Sequence, residues 1–195
     1  MLKRVFDLIF SLLEILFLIP LFIFVAILVK LFALDEKIFF IQKRIGRDSQ
    51  IFRLIKFRTM KSGNFKNTIA ALEGKNRITS LGYFLRKYKL DEIPALWNVL
   101  KGDMSFVGPR PDVEGYADKL RGKDRLILNS RPGITGPASL KYANEEEILK
   151  NTEDPLYYNN NIIYPDKVKI NLEYYYNNNI IIDIIIIVKT IFRRF

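Results

Sequence analysis

Apolar positions are spread unevenly along this chain. Residues 8–34 form one apolar run, interrupted by charge only at Glu14 and Lys30, and residues 15–29 carry no charge at all. A membrane-spanning helix needs roughly 20 apolar residues, so the run is long enough to span. It is apolar on every side, which a lone helix in water is not. No small-residue cleavage site follows Val29, which argues against a signal peptide. Pro20 falls inside the run, where it removes a backbone hydrogen bond and kinks a helix. Both flanks are basic: Lys3 and Arg4 precede it, and Lys30, Lys37, Lys43 and Arg44 follow. A simple span has one end less basic than the other. Two courses remain open, an anchor kinked at Pro20 and a re-entrant helix that breaks at Pro20 and returns to the cytoplasmic side.

The pattern after residue 37 changes to that of a folded domain. Short apolar runs at 38–41 and 51–57 flank a polar turn at 46–50, which predicts a β-hairpin. The second run carries Lys56 and leads into Arg58. Residues 61–76 read as a loop. Thr79 or Ser80 then caps a predicted helix with Leu81, Phe84, Leu85 and Tyr88 on one face and basic residues at its end. A second helix is predicted from Asp91 or Glu92, with Pro94 in its first turn, Leu96, Val99 and Leu100 as its apolar stripe, and Gly102 as C-cap. "SFVGPRP" reads as a short strand entering a rigid turn, with Pro109 and Pro111 fixing the backbone, and "RPGITG" as a second such turn. A helical stripe resumes at Val168, Leu172, Tyr175 and Tyr176, and the apolar, basic-ended C-terminal segment suits burial or the membrane interface. The expected fold class is α/β and α-rich. The pattern thus divides the chain into an apolar segment, residues 1–36, and a folded remainder, residues 37–195.

Composition narrows the chemistry. The chain has 195 residues, a net charge of +10, no Cys and no His. The charge points to an anionic partner: nucleic acid, anionic lipid or a phosphorylated small molecule. The missing residue types exclude disulfides, thiolate nucleophiles, Ser–His and Cys–His triads, and His-based zinc sites. Any catalysis falls to Asp, Glu, Lys, Arg, Ser, Thr or Tyr.

The adjacent carboxylates Asp91 and Glu92 are therefore conspicuous. An N-cap and a first-turn glutamate explain them by helix physics alone. A chemical role is the second explanation. Lys56, Arg58, Arg86 and Arg110 lie in segments bordering them. A carboxylate there has two uses: to hold Mg²⁺ together with phosphate oxygens, or to attack phosphorus and form an acyl phosphate.

The segments "KFRTM", "LDEIPALWNVLKGDMSFVGPRP" and "RPGITG", in this order behind an N-terminal apolar hairpin, resemble the bacterial sugar transferases, the small monotopic phosphoglycosyl transferases. The resemblance covers nearly the whole chain. It implies that residues 1–36 form a re-entrant membrane-embedded helix broken at Pro20, and that residues 37–195 form a small cytoplasmic, membrane-associated α/β catalytic domain with amphipathic interfacial helices on the inner-membrane face. It implies that a sugar phosphate is transferred from a UDP-sugar to polyprenyl phosphate with release of UMP, initiating surface glycan assembly. It implies Mg²⁺, held at Asp91 and Glu92. Asp91 matches the nucleophile of the family's Asp-Glu dyad and Glu92 its partner. Lys56 and Arg58 match the basic strand, Arg86 a basic residue on the preceding helix, and Arg110 the phosphate-binding arginine between prolines. Arg131 in "RPGITG" is a further phosphate-binding candidate, Asp183 resembles a late aspartate, and Pro20 matches the helix-breaking proline. Two departures stand out: Ile19 where the family often has Ser, and "PASLKYANEEE" in a segment that bears on the choice of sugar. The implied partners are a UDP-sugar, polyprenyl phosphate and anionic inner-membrane lipids, with a homodimer compatible and no nucleic acid. The competing readings are a non-enzymatic basic membrane scaffold and a nucleic-acid-binding protein, whose stacking aromatics are here better explained by apolar faces.

Overall fold

The computed structural model describes residues 2–32, 37–61 and 77–192. The fold is helix-rich with two small sheets and one long apolar N-terminal helix, α1 (Leu2–Phe32). The expected boundary at residue 36, and all but Lys61 of the expected 61–76 loop, lie outside the described residues.

The expected hairpin forms between β1 (Phe39–Ile45) and β2 (Ile51–Phe57), antiparallel, with Phe39 opposite Phe57 and Ile45 opposite Ile51. β1 runs four residues past the predicted 38–41 run, because Gln42, Lys43 and Arg44 break the apolar pattern but not the ladder. α2 (Ser80–Lys87) starts where expected: the Thr79 hydroxyl accepts from Gly82 N at 2.9 Å. Leu85 is fully buried, whereas Phe84 and Tyr88 are half-exposed and pack on each other at 4.9 Å. The predicted four-residue stripe is thus narrower in the folded chain.

The next helix differs from expectation in a way that matters for the site. α3 spans Ala95–Lys101 with Pro94 at its N-cap, and the acidic pair occupies a separate 3₁₀ turn, Leu90–Glu92. Lys89 launches that turn from a left-handed backbone (φ 55°), a conformation that costs a non-glycine residue about 1 kcal/mol. Gly102 caps α3 with φ 100°, as predicted. β3 (Ser105–Val107) pairs in parallel with β4 (Gly133–Thr135), so the expected "RPGITG" turn is partly a strand. Gly108 N donates to Thr135 O and Gly133 N to Pro109 O. The crossing is so close that a Cβ on Gly108 would sit 2.3 Å from Arg131 O, and one on Gly133 2.2 Å from Gly108 N. Only glycine fits at either position.

The short helices α4 (Pro137–Lys141), α5 (Glu145–Lys150) and α6 (Pro155–Tyr158) lead to α7 (Tyr164–Asn177) and α8 (Ile180–Phe192). The principal core gathers Phe52, Leu54, Leu96, Val99, Met104, Phe106 and Val107 with Tyr174 and Ile186, so hairpin, α3, β3 and both C-terminal helices share it. Full burial of each such side chain contributes about 1.5–3 kcal/mol. Asn98 is buried among them. Its Oδ1 accepts from Ile55 N and its Nδ2 donates to Arg53 O, which docks β2 on α3.

α1 is gripped at both ends. Near its start, Asp7 accepts from Ser105 Oγ and Phe106 N, Arg4 donates to Val99 O and Leu100 O, and Lys3 reaches Val107 O, Tyr174 and Asp183. Near its end, Val25 and Val29 pack with Phe57 and Leu85. Between these ends one face of the helix is open, with Phe17 84% exposed and Leu16 57%, while Ile15, Leu18, Leu21 and Phe22 on the other face pack on the domain. Pro20 lies on the open face, inside a helix that is continuous through it.

Candidate active site

The 3₁₀ turn brings Asp91 and Glu92 to the edge of β2 and the exit of β3. Lys56, on β2, donates to Glu92 Oε1 at 2.7 Å. Arg110, in the turn after β3, reaches the same oxygen at 3.5 Å. Asn98 holds β2 against α3, and the Gly108–Gly133 crossing holds the turn that carries Arg110. Each cation is therefore positioned by backbone far from the dyad in sequence.

The two carboxylates are in opposite electrostatic states. Burial works to raise Glu92, but Arg110, Lys56 and Lys89 outweigh it and hold its pKa at about 2. Burial pushes Asp91 upward, and the charge of Glu92 adds to the effect against Lys56, Lys89 and Arg86. Lys56 is pushed down by burial, with Glu92 opposing. Asp91 is only 7% exposed, and its Oδ1 is buried without a hydrogen-bond partner. A buried carboxylate oxygen left unbonded is costly. A buried oxygen that no protein donor satisfies is the kind of group that a bound ion or water satisfies.

The other expected residues fall in different places. Arg86 acts on Asp91 electrostatically while donating to Thr59 Oγ1 at 3.1 Å. Arg58 donates to Lys37 O at 2.7 Å, where it fastens the start of the hairpin. Arg131 donates to Gly102 O at 2.8 Å, at the C-terminal end of α3 that Arg4 also caps, and the structure does not bring it to the dyad. Asp183 bonds Lys3 and Tyr174 and ties the two chain ends together. Pro109 and Pro111 present their carbonyls inward, to Gly133 N and to Arg44 Nη1. Arg44 lines the same cleft as Lys56, Glu92 and Arg110. By sequence it counted only as a basic flank of the apolar run. The alternation of Gln42 and Arg44 on one strand face was the available signal.

Mg²⁺ is compatible with this donor set. Among the described residues no group of three or more metal-ligating side chains converges, so no all-protein cage is formed there. Mg²⁺ needs none, because it takes one or two carboxylates and fills its shell with phosphate oxygens and water. Asp91 and Glu92 are the carboxylates that would hold it.

The sequence profile of the family described as "Bacterial sugar transferase" matches residues 1–195. The chain belongs to the bacterial sugar transferase family. As a member it is a transferase. This sugar transferase is 34% identical to the exopolysaccharide production protein ExoY of Sinorhizobium fredii, over 97% of this chain and 83% of the relative. It is 34% identical to the UDP-glucose:undecaprenyl-phosphate glucose-1-phosphate transferase of Escherichia coli, over 100% of this chain and 40% of that one. It is 32% identical to the UDP-N-acetylgalactosamine-undecaprenyl-phosphate N-acetylgalactosaminephosphotransferase of Aeromonas hydrophila, over 82% of this chain and 39% of the relative.

Proposed function

We propose that the chain transfers a sugar 1-phosphate from a UDP-sugar to polyprenyl phosphate, releases UMP, and so initiates glycan assembly at the cytoplasmic face of the inner membrane. The observation that carries this reading is the unpartnered, buried Asp91 Oδ1 beside a Glu92 that is clamped by two cations. The substrates named for the relatives support it.

In the first step an Asp91 oxygen attacks the phosphorus that bears the sugar. The new bond is an acyl phosphate, the bond that breaks is the phosphoanhydride, and UMP leaves with the electron pair. In the second step an oxygen of polyprenyl phosphate attacks the same phosphorus and the Asp91 carboxylate departs, leaving a polyprenyl diphosphate sugar. Splitting one transfer into two eases each displacement. Lys56 and Arg110 neutralise the phosphate charge, and Glu92 holds both cations in place. Asp91 and Glu92 would hold Mg²⁺, which when bound offsets the negative charge of the phosphates. Incubation with a panel of UDP-sugars and polyprenyl phosphate in detergent is expected to release UMP with at least one sugar. No UMP release from any member of the panel sinks the reading.

A re-entrant course for α1 is part of the same proposal, and the basic residues on both flanks together with Pro20 support it. A helix of this length is about 46 Å long, and α1 packs one face on the domain from Phe6 to Val29 while Leu16, Phe17, Pro20 and Phe24 face outward. With both ends on the cytoplasmic side, the exposed apolar face of α1 enters the bilayer. The domain of residues 37–195 then rests on the membrane, where the net charge of +10 favours anionic lipid. Cysteines introduced at residues 2 and 37 are expected to react with a membrane-impermeant reagent from the same side. Labelling from opposite sides means that α1 spans.

A further inference from the structure

The cleft beside the dyad holds a cation to which the mechanism above gives no task. Arg44 sits on β1 and lines the cleft with Lys56, Glu92 and Arg110. Its guanidinium is held at three points. Nε and Nη2 both donate to Gln42 Oε1, at 3.1 and 2.6 Å, and Nη1 donates to Pro111 O at 2.9 Å. Gln42 and Arg44 are two apart on a strand, so both side chains lie on one face. A guanidinium has five N–H donors. Three are engaged by these bonds, which leaves one on each terminal nitrogen.

The charge balance is the second observation. Lys56 and Arg110 share Glu92. Among the described residues, Arg44 has no carboxylate within ion-pair distance; Asp112 and Glu92 act on it only through space. Asp112 is instead bonded by the Tyr164 hydroxyl at 3.2 Å. Burial pushes the pKa of Arg44 down to about 10, and the like charge of Arg110 contributes. A partly buried cation without a counter-charge, beside a second cation, is unfavourable until an anion arrives. The two free N–H groups are the bidentate donors that suit a phosphate.

We propose that Arg44 is a phosphate-binding residue of this site, oriented by Gln42 and the Pro111 carbonyl, and that it holds the uridine-side phosphate of the donor. The proposal rests on the UDP-sugar reading above. The division of labour follows from position. Lys56 and Arg110 both interact electrostatically with Asp91, so they serve the phosphorus that Asp91 attacks. The charges that act on Arg44 are those of Arg110, Asp112 and Glu92, with Asp91 not among them, so Arg44 suits the phosphate next to the one that Asp91 attacks. Arg44 touches substrate in this account, and Gln42 is a positioning residue that acts through it. The competing role for Arg44 is a latch that fastens β1 to the Pro109–Pro111 turn and nothing more.

Titration of the detergent-solubilised full chain with UMP and with uridine separates the two. The wild-type chain is expected to prefer UMP. Arg44→Lys keeps a charge but not the two-point geometry, and is expected to weaken UMP binding about tenfold while leaving uridine unchanged. Gln42→Leu keeps the guanidinium and removes its orienting acceptor. It is expected to weaken UMP about fivefold, again without effect on uridine. If Arg44→Lys does not fold, as judged by its thermal transition, the Gln42→Leu result decides. UMP binding equal to wild type in the folded variants makes Arg44 a latch and overturns the proposal, while the UDP-sugar reading stands. A wild-type chain that binds UMP no better than uridine overturns both.

Discussion

Asp91→Asn abolishes turnover and leaves no sugar phosphate on the chain. The expectation follows from where the side chain sits. Its Oδ1 is buried and unpartnered, so the native carboxylate presents a lone pair that no protein donor occupies. An amide of the same shape keeps the packing and loses the nucleophile, and a loss of about 10³-fold or more is expected for a residue that forms the covalent bond. Intact-protein mass spectrometry after incubation with the UDP-sugar and Mg²⁺, without polyprenyl phosphate, is expected to show one added phosphosugar on the native chain and none on the variant. The same buried position sets a pH dependence. Asp91 must be ionised to attack, and burial raises its pKa. Activity is therefore expected to rise with pH through a limb above the ordinary carboxylate range, whereas Glu92, held at about 2, stays ionised throughout. If UMP appears only when both substrates are present and no adduct can be trapped, the covalent role of Asp91 falls. Direct transfer between the two phosphates replaces it.

Arg110→Lys loses most of the activity although the charge is kept. Arg110 is half-exposed and reaches Glu92 at 3.5 Å, so one side of the guanidinium is anchored and the other faces the cleft. A planar fork does both at once; an ammonium on a flexible stem does one or the other. The expected loss is about 10²-fold in kcat/KM, comparable to removing one donor that stabilises a transition state. Steady-state kinetics with the UDP-sugar decide it. Near-native turnover in this variant reassigns Arg110 to holding the turn between Pro109 and Pro111.

What was legible in the sequence is what short-range physics controls. The apolar run, the Thr79 cap, the Gly102 C-cap and the turn of the hairpin all depend on residues within a few positions of one another. Asp91 and Glu92 are neighbours in the chain, so their pairing needs no tertiary information. The missing Cys and His removed whole classes of mechanism before any fold was considered. The motifs then placed Lys56 and Arg110 at the same site through resemblance. The start of α3 was less legible, because Pro94 is equally compatible with an N-cap and a first turn.

The tertiary structure decided which of the candidate cations touch the dyad: Lys56 and Arg110 reach Glu92, whereas Arg58 and Arg131 bond carbonyls elsewhere. Arg110 and Arg131 both stand beside prolines in glycine-containing turns, and nothing local separates them. The parallel pairing of β3 with β4 sends Arg110 to Glu92 and Arg131 to the Gly102 carbonyl. Arg44 became a cleft residue only because Pro111, 67 positions away, offers it a carbonyl. Asp183 met Lys3 across 180 positions. Such contacts depend on register and crossing geometry, which are set by the summed packing of many side chains. By itself the sequence determined the chemistry available and the long apolar helix. Which charge stands beside which carboxylate was settled where β2, α3 and the β3 exit turn pack together, since an ion pair forms only between groups that the backbone has already brought within reach.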